Sequence, residues 1–440
     1  MTSPDSNPAS HDRLSGALWA VLILLVLAGF INYVDRGNLS IAAPLIKDDL
    51  HLSARQLGLL LSSFFWTYAT FQILSGWLVD RFDVNWVIAL GFLLWSGATA
   101  ATGIVHGLVA LLALRLILGV GESVAYPSYS KILALHFPEY HRGFANAAIS
   151  AGASCGPAFG LFFGGLLVAR FGWRPFFIVL GIACLLWLIP WIKWMPRGPA
   201  IETPTVSFIS TTASPGLWQI LQQRSAWGTC GGLFSLNYVS YFLLTWMPFY
   251  LVRERHFSMD QMAQTGGGAY LLAAVSGMIA GQLSDRWIAV GGTTTRVRKT
   301  VMVVGAAVSG IALAACAVAG PTLAVICLSL AAGGYGICTS NLWAISQTLA
   351  GNKAAGRWTG LQNFMGNMAG VVGPAVTGLV VDKTGRFFWA FAIAAAVALM
   401  GILFWLVVVG PVEPVQWGLR SKDLQNSLEG ISTPSASSKA

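Results

Sequence analysis

Long apolar stretches recur along almost the whole chain and are separated by short polar segments. A helix that crosses a membrane needs about 20 mostly apolar residues, because the hydrocarbon core is about 30 Å thick. Twelve stretches meet this requirement. The sequence therefore predicts an all-α membrane protein with twelve transmembrane helices. The predicted spans are 17–46, 56–79, 84–104, 107–134, 144–169, 173–195, 226–252, 264–288, 300–318, 322–347, 357–381 and 386–410.

Composition agrees with this prediction. The chain of 440 residues is 55% hydrophobic and only 10% charged, whereas an ordinary soluble domain is about a quarter charged. Its net charge of +9 does not indicate a nucleic-acid partner, because 16 of the 26 Lys and Arg residues fall on the side of the termini and eight on the other. Cytoplasmic loops carry the excess of Lys and Arg, so we expect both termini in the cytoplasm.

Catalytic or metal chemistry has no recognisable pattern in the sequence. All six cysteines lie within apolar stretches, without Cys-x-x-Cys pairs or histidines at metal-ligand spacing. We also find no trio of nucleophile, base and orienting residue. We therefore expect neither an enzyme nor a bound cofactor or metal.

Two internal repeats indicate two related halves. The segment GWLVDR at 76–81 recurs as GQLSDR at 281–286, each at the end of the second span of six. Three glycines recur 214 positions later, and such glycines let helices pack closely in lipid: Gly152, Gly156 and Gly164 match Gly366, Gly370 and Gly378. We predict two pseudo-symmetric six-helix bundles, with these domains: N-terminal tail 1–16, first bundle 17–196, linker 197–225, second bundle 226–410 and C-terminal tail 411–440.

The repeated G-x-L-x-D-R motif in a six-plus-six arrangement resembles the major facilitator superfamily, over roughly residues 15 to 410. By this resemblance, the acid and arginine of each copy are expected to gate the cytoplasmic side. These gating residues are Asp80, Arg81, Asp285 and Arg286. The segment 82–85 lacks the glycine and second basic residue usual in the family, so we expect a weaker latch there.

Three further segments resemble one branch of that superfamily, the anion:cation symporters. They are INYVDR at 31–36, FWTY at 65–68 and RLILGVGESVAYP at 115–127. The branch includes bacterial galactonate and hexuronate carriers, sialin and the vesicular glutamate transporters. Span 7 has no arginine, unlike the vesicular glutamate members. The resemblance implies a multi-pass protein of the bacterial inner membrane that carries a small organic anion.

Four ionisable residues lie well inside predicted spans: Asp35, Arg36, Arg115 and Glu122. A charge near the bilayer centre costs at least about 2.5–3.5 kcal/mol, so such a residue must face the protein interior and find a partner. Arg115 and Glu122 lie two helical turns apart on one face, about 10.5 Å along the axis. Structural ion pairs between spans 1 and 4 are one interpretation of the four charges, and a transport site is the other.

By the resemblance, Asp35 and Glu122 carry protons and Arg36 is the main contact of the substrate anion, since a planar guanidinium donates two parallel hydrogen bonds to a carboxylate. Other polar or aromatic residues share helix faces that could meet in a central cavity. For each aromatic residue, core or interfacial packing is an equal alternative. The predicted substrate-binding residues are Tyr33, Arg36, Tyr68, Gln72, Arg115, Tyr241, Ser340, Asn341, Trp343 and Asn363.

The predicted function is proton-coupled import of a sugar acid of the hexuronate, aldonate or aldarate type, by alternating access. Protons are the coupling ion, and a monomer suffices. Exchange of organic anions, or import of tartrate or an aromatic acid, are the alternatives. A membrane sensor is disfavoured, because the tail 411–440 leaves no room for an output domain.

Overall fold

The computed structural model describes residues 15–137, 139–195 and 215–417. Within these residues every regular element is a helix, and the twelve long helices are numbered α1 to α12. They are α1 Gly16–Asp49, α2 Ala54–Arg81, α3 Val84–Thr102, α4 Leu108–Ser123 continued by Ala125–His136, α5 Glu139–Phe159 continued by Gly165–Phe171, α6 Trp173–Leu185 continued by Leu188–Trp194, α7 Arg224–Arg253, α8 Met259–Ala289, α9 Thr294–Cys316, α10 Pro321–Gly351, α11 Arg357–Thr384 and α12 Phe388–Leu403.

The predicted all-α membrane fold is confirmed. Ten helices are long and apolar enough to cross a membrane. The other two, α2 and α7, have 28 and 30 residues, which corresponds to about 42–45 Å. Their bounds lie within a few residues of the predicted spans. Residues 1–14, 196–214 and 418–440 lie outside the described residues, so the predicted tails and linker stay predictions.

The connection between α10 and α11 is short. α10 ends at Gly351, where φ is 61° and ψ is 179°, and α11 begins at Arg357. A positive φ is open to glycine but costly for a residue with a Cβ atom. The chain therefore turns at Gly351 from one span toward the next, within a few residues.

The repeated glycines lie at close contacts between helices, as predicted. A Cβ atom at Gly156 would lie 2.6 Å from the Cβ atom of Tyr33, which joins α5 to α1. A Cβ atom at its counterpart Gly370 would lie 2.5 Å from the ring of Phe65, at a contact that joins α11 to α2 across the two halves. These contacts let backbones approach where dispersion rather than the hydrophobic effect holds helices together.

The halves meet closely at one end of the bundle, formed by the last turns of α1, α5, α7 and α11 and the first turns of α2 and α8. We call it the sealed end. There a Cβ atom at Gly58 would lie 2.7 Å from the carbonyl oxygen of Pro374. Arg253 forms an ion pair with Asp48 and donates a hydrogen bond of 2.9 Å to the carbonyl of Pro44. The first and second halves are thus joined by backbone contact and by charge.

Replacing Gly58 by valine is expected to slow transport about tenfold. A side chain at this position would clash with the backbone of α11, 2.9 Å away at the Cα atom of Gly378, so the sealed end could not close. Initial uptake rates in proteoliposomes, normalised to folded protein, measure the effect. Gly97→Val is the matched control, because nothing lies within 4 Å of a Cβ atom there. Equal rates for both variants would contradict the prediction.

Candidate functional site

The four ionisable residues predicted for the membrane interior are all buried. Asp35 and Arg36 lie near the middle of α1, and Arg115 and Glu122 lie on α4. Their exposed fractions are 2%, 7%, 6% and 0%, respectively. Because isolated buried charges are costly, the arrangement of these four side chains decides what the site can do.

Arg36 and Glu122 form an ion pair between α1 and α4. The Nε atom of Arg36 donates to Oε2 of Glu122 at 3.2 Å. The Nη2 atom of Arg36 and Oε1 of Glu122 are buried without a hydrogen-bond partner. The pair therefore uses only part of the hydrogen-bonding capacity of each group, and both retain atoms for a third participant.

Aromatic rings surround the guanidinium of Arg36. Its Cζ atom lies 4.6 Å from the ring centroid of Tyr33, 4.4 Å from that of Tyr68 and 5.6 Å from that of Phe64. Such cation–π contacts contribute about 0.5–2 kcal/mol, with the larger values at desolvated sites. They stabilise the guanidinium in addition to its carboxylate partner. Two of the predicted substrate-binding residues, Tyr33 and Tyr68, are thus in contact with Arg36.

Asp35 forms its hydrogen bonds within α1 and with α3 rather than with that pair. Its Oδ1 atom accepts hydrogen bonds from Nδ2 of Asn38 at 2.6 Å and from Oγ1 of Thr99 at 3.2 Å, while Oδ2 has no partner. Sequence reasoning missed both donors. The spacing of three residues between Asp35 and Asn38, which puts them on one helix face, was the available signal for the first.

Arg115 completes the charged cluster. Its guanidinium lies 5.2 Å from the ring centroid of Phe64, which also contacts Arg36. It lies within electrostatic range of both Glu122 and Asp35, and its Nε atom has no hydrogen-bond partner. Two acids and two arginines are therefore grouped on one wall of the site, the N-half wall.

A chain of hydrogen bonds links the two halves opposite this wall. The hydroxyl of Tyr241 donates to Oδ1 of Asn367 at 2.7 Å, and Nδ2 of Asn367 donates to the carbonyl of Asn363 at 2.9 Å. The amide of Asn363 reaches Oε1 of Gln72 on α2 at 3.5 Å. Gln72 is one helical turn from Tyr68. Three predicted residues, Gln72, Tyr241 and Asn363, thus belong to one network, and Asn367 connects them.

The remaining predicted substrate-binding residues lie on α10. Asn341 is engaged at the contact with α8, where its Oδ1 atom accepts from Ser284 at 3.0 Å and its Nδ2 atom donates to Ser340 at 3.0 Å. Trp343 is 38% exposed. The hydrogen bonds of Ser340 and Asn341 run within α10 and to α8, and the role of these three residues in binding stays a prediction.

The predicted gating residues lie at the opposite end from the sealed end. Arg81 is the last residue of α2, and Asp285 and Arg286 lie in the last turns of α8. All three are exposed. The side chain of Asp80 lies outside the described residues. Their gating role stays a prediction.

Several tyrosines near the site were missed by sequence reasoning. Tyr335 on α10 lies near Tyr33 and near Tyr241. Tyr270 on α8 lies near Tyr335. Tyrosine is common at membrane interfaces, so a single tyrosine in a span carries little signal of a site.

Sequence comparison agrees with this architecture. A profile of the Major Facilitator Superfamily matches residues 25–374 and 288–435. The chain belongs to this superfamily. Within the facilitators, it is similar to the hexuronate transporter of Bacillus subtilis (strain 168), at 32% identity over 402 residues, covering 89% of this chain and 94% of the relative.

Two other facilitators are similar over nearly their full length. The probable galactarate/D-glucarate transporter GudP of Bacillus subtilis (strain 168) is 29% identical, over 93% of this chain and 96% of the relative. The probable sulfoacetate transporter SauU of Cupriavidus necator is 32% identical, over 87% and 92%. These relatives are transporters of organic anions.

Solved structures give the same fold. The crystal structure of a bacterial homolog of the human lysosomal transporter Spinster, inward-facing and unoccupied, superposes with a TM-score of 0.74. The two chains are 19% identical, and the match covers 90% of this facilitator and 96% of the other chain. At that identity the likeness concerns the fold alone.

Proposed function

We propose that this facilitator imports a sugar acid together with protons. The observation that carries the proposal is the buried pair of Arg36 and Glu122, in which each partner keeps an unpartnered polar atom. Because Glu122 occupies the Nε atom of Arg36, the guanidinium can bind a substrate carboxylate through both Nε and Nη2 only when Glu122 gives way. Protonation of Glu122 is the simplest event that removes that competition.

The proposed cycle follows from this competition. A proton neutralises Glu122, and the freed Nε and Nη2 atoms of Arg36 donate two parallel hydrogen bonds to the substrate carboxylate. Asp35, with one unpartnered oxygen, is the second proposed proton carrier. Loss of protons on the other side restores the pair and expels the substrate.

Alternating access requires that the site open to one side at a time, by rocking of the two halves. If the termini are cytoplasmic, as the charge distribution predicts, the sealed end faces outward. The described conformation is then the one that opens inward, with Arg253 and Asp48 closing the outer side. In the proposed cycle the carrier works as a monomer and needs no cofactor besides protons.

Two observations favour a sugar acid over other organic anions. Relatives that match most of this chain are named as transporters of hexuronate and of galactarate or D-glucarate. The site itself offers amide and hydroxyl groups from Gln72, Tyr241 and Asn363, which suit a hydroxylated substrate.

Uptake by the purified protein in proteoliposomes tests the proposal. We expect labelled D-glucuronate, or a related sugar acid from a small panel, to accumulate above its external concentration when the outside is made acidic. A protonophore should abolish the accumulation, and liposomes without a pH difference should only equilibrate. Accumulation that depends on an internal counter-anion and not on the pH difference would identify an exchanger and overturn proton coupling.

A further inference from the structure

Buried polar atoms without a protein partner mark where a ligand could supply one, because such atoms are costly in a folded protein. On the N-half wall these atoms all belong to charged groups: Oδ2 of Asp35, Nη2 of Arg36, Nε of Arg115 and Oε1 of Glu122. Two described side chains of the second half have such atoms, Tyr270 on α8 and Arg298 near the start of α9. The orphaned group well inside the membrane there is therefore the neutral hydroxyl of Tyr270.

Tyr270 belongs to a wall of three tyrosines contributed by different helices. Tyr241 comes from α7, Tyr270 from α8 and Tyr335 from α10. Tyr335 lies within electrostatic range of Tyr33 on the opposite half, and Tyr241 within range of Arg36. We call these three residues the tyrosine wall; Tyr241 and Tyr335 bring it next to Arg36 and Tyr33 of the first half, and Tyr270 adjoins Tyr335.

The second half supplies no cation of its own at membrane depth. Within α7 to α12, every Asp, Glu, Lys and Arg falls within six positions of a helix end. The hydroxyl of Tyr241 is committed to Asn367, and that of Tyr335 has Ser240 as a partner. The tyrosine wall therefore offers hydroxyl groups and a free donor at Tyr270, but no charge.

We propose that the substrate lies with its single carboxylate on the N-half wall and with an uncharged, hydroxylated end against the tyrosine wall, where Tyr270 contacts it directly. The inference rests on the proposed function and narrows its substrate class. The preferred substrates are polyhydroxy monocarboxylates, that is, aldonates and hexuronates. Dicarboxylates of the same length, the aldarates, are disfavoured.

The preference has a physical cause. A second carboxylate at the far end would leave water and face neutral hydroxyls without a countercharge, which is more costly than placing a hydroxyl there. Buried polar groups that match one substrate discriminate strongly against an analogue that leaves them mismatched. A purely apolar pocket discriminates much less. We expect discrimination of at least tenfold.

D-galactonate and D-galactarate form a matched pair for this test, because they share one carbon skeleton and differ only at C6, a hydroxymethyl group against a carboxylate. Apparent KM values in proteoliposomes with an imposed proton gradient should favour galactonate by at least tenfold. Equal or lower KM for galactarate would overturn the inference and leave the proposed function intact. If the protein transports neither of these acids and no hexuronate, the proposed function itself is overturned.

The contact at Tyr270 has its own test. Tyr270→Phe removes only a hydroxyl that has no protein partner, so thermal unfolding should be unchanged, while the apparent KM for galactonate should rise about fivefold or more at unchanged maximal rate. Tyr238→Phe is the matched control on α7, since Tyr238 is 3% exposed and packs against Gly373. An unchanged KM for Tyr270→Phe, or an equal rise in both variants, would overturn the contact.

Discussion

Replacing Glu122 by glutamine is expected to abolish proton-driven accumulation while leaving exchange of substrate across the membrane. Glutamine keeps the shape of the side chain and can still accept a hydrogen bond from Arg36, 3.2 Å away in the native protein. It cannot carry a proton or compete as an anion for the guanidinium. The accumulation ratio under an inward proton gradient should therefore fall to about one, while counterflow persists.

Both quantities can be measured in the same proteoliposomes, with labelled substrate outside and either a pH difference or unlabelled substrate inside. Glu254→Gln is the control, because Glu254 is an exposed residue at the sealed end and should retain full accumulation. Concentrative uptake by the Glu122 variant would show that the coupling proton is carried elsewhere.

Substitution of Arg36 by lysine is expected to weaken substrate binding by about a hundredfold, equivalent to about 2.7 kcal/mol. Lysine keeps the charge and can still pair with Glu122, so the fold should survive. It loses the planar fork that grips a carboxylate with two parallel hydrogen bonds and the stacking between the rings of Tyr33 and Tyr68.

Equilibrium binding to the detergent-solubilised protein measures this loss without dependence on the transport cycle. Arg174→Lys is the control variant. Arg174 pairs with Asp49 at 3.0 Å near the sealed end, which is distant from the proposed site. Binding by the Arg36 variant within threefold of the native protein would refute bidentate recognition at this position.

The helices were predictable because ten of the twelve contain an apolar stretch of membrane length, a signal that depends on the lipid and hardly on tertiary contacts. The geometry of the turn between α10 and α11 was not predictable. The predicted spans end and begin near the observed ones, but they did not indicate that the chain turns at Gly351 with a positive φ. A backbone angle of this kind is not visible in hydrophobicity.

The charged cluster was only partly predictable. The cost of burying Asp35, Arg36, Arg115 and Glu122 required that they face the interior, and the structure buries all four. The choice of partners depends on how α1 and α4 are rotated about their axes, which a sequence separation of 86 residues does not determine. For the same reason Thr99, whose hydroxyl reaches Asp35 from α3, could not be found.

The second half of the site was the least predictable part. Its polar groups are neutral, and tyrosine or asparagine in a span is compatible with packing, interfacial anchoring or binding. The spacing of four residues between Asn363 and Asn367 put them on one helix face, but their link to Tyr241 on another helix depends on tertiary packing. The structure is needed to show that these side chains form one hydrogen-bond network.

The internal partner of Arg36 also governs what the empty protein does. An unpaired guanidinium in the middle of the membrane would attract chloride or another small anion while the empty carrier returns. Moving such an anion would dissipate energy without transporting substrate. With Glu122 closed on Arg36, the vacant protein is self-neutralised and needs no ion from solution. In the proposed cycle, the ion pair that opens when substrate binds would thus also keep other anions out of the empty carrier.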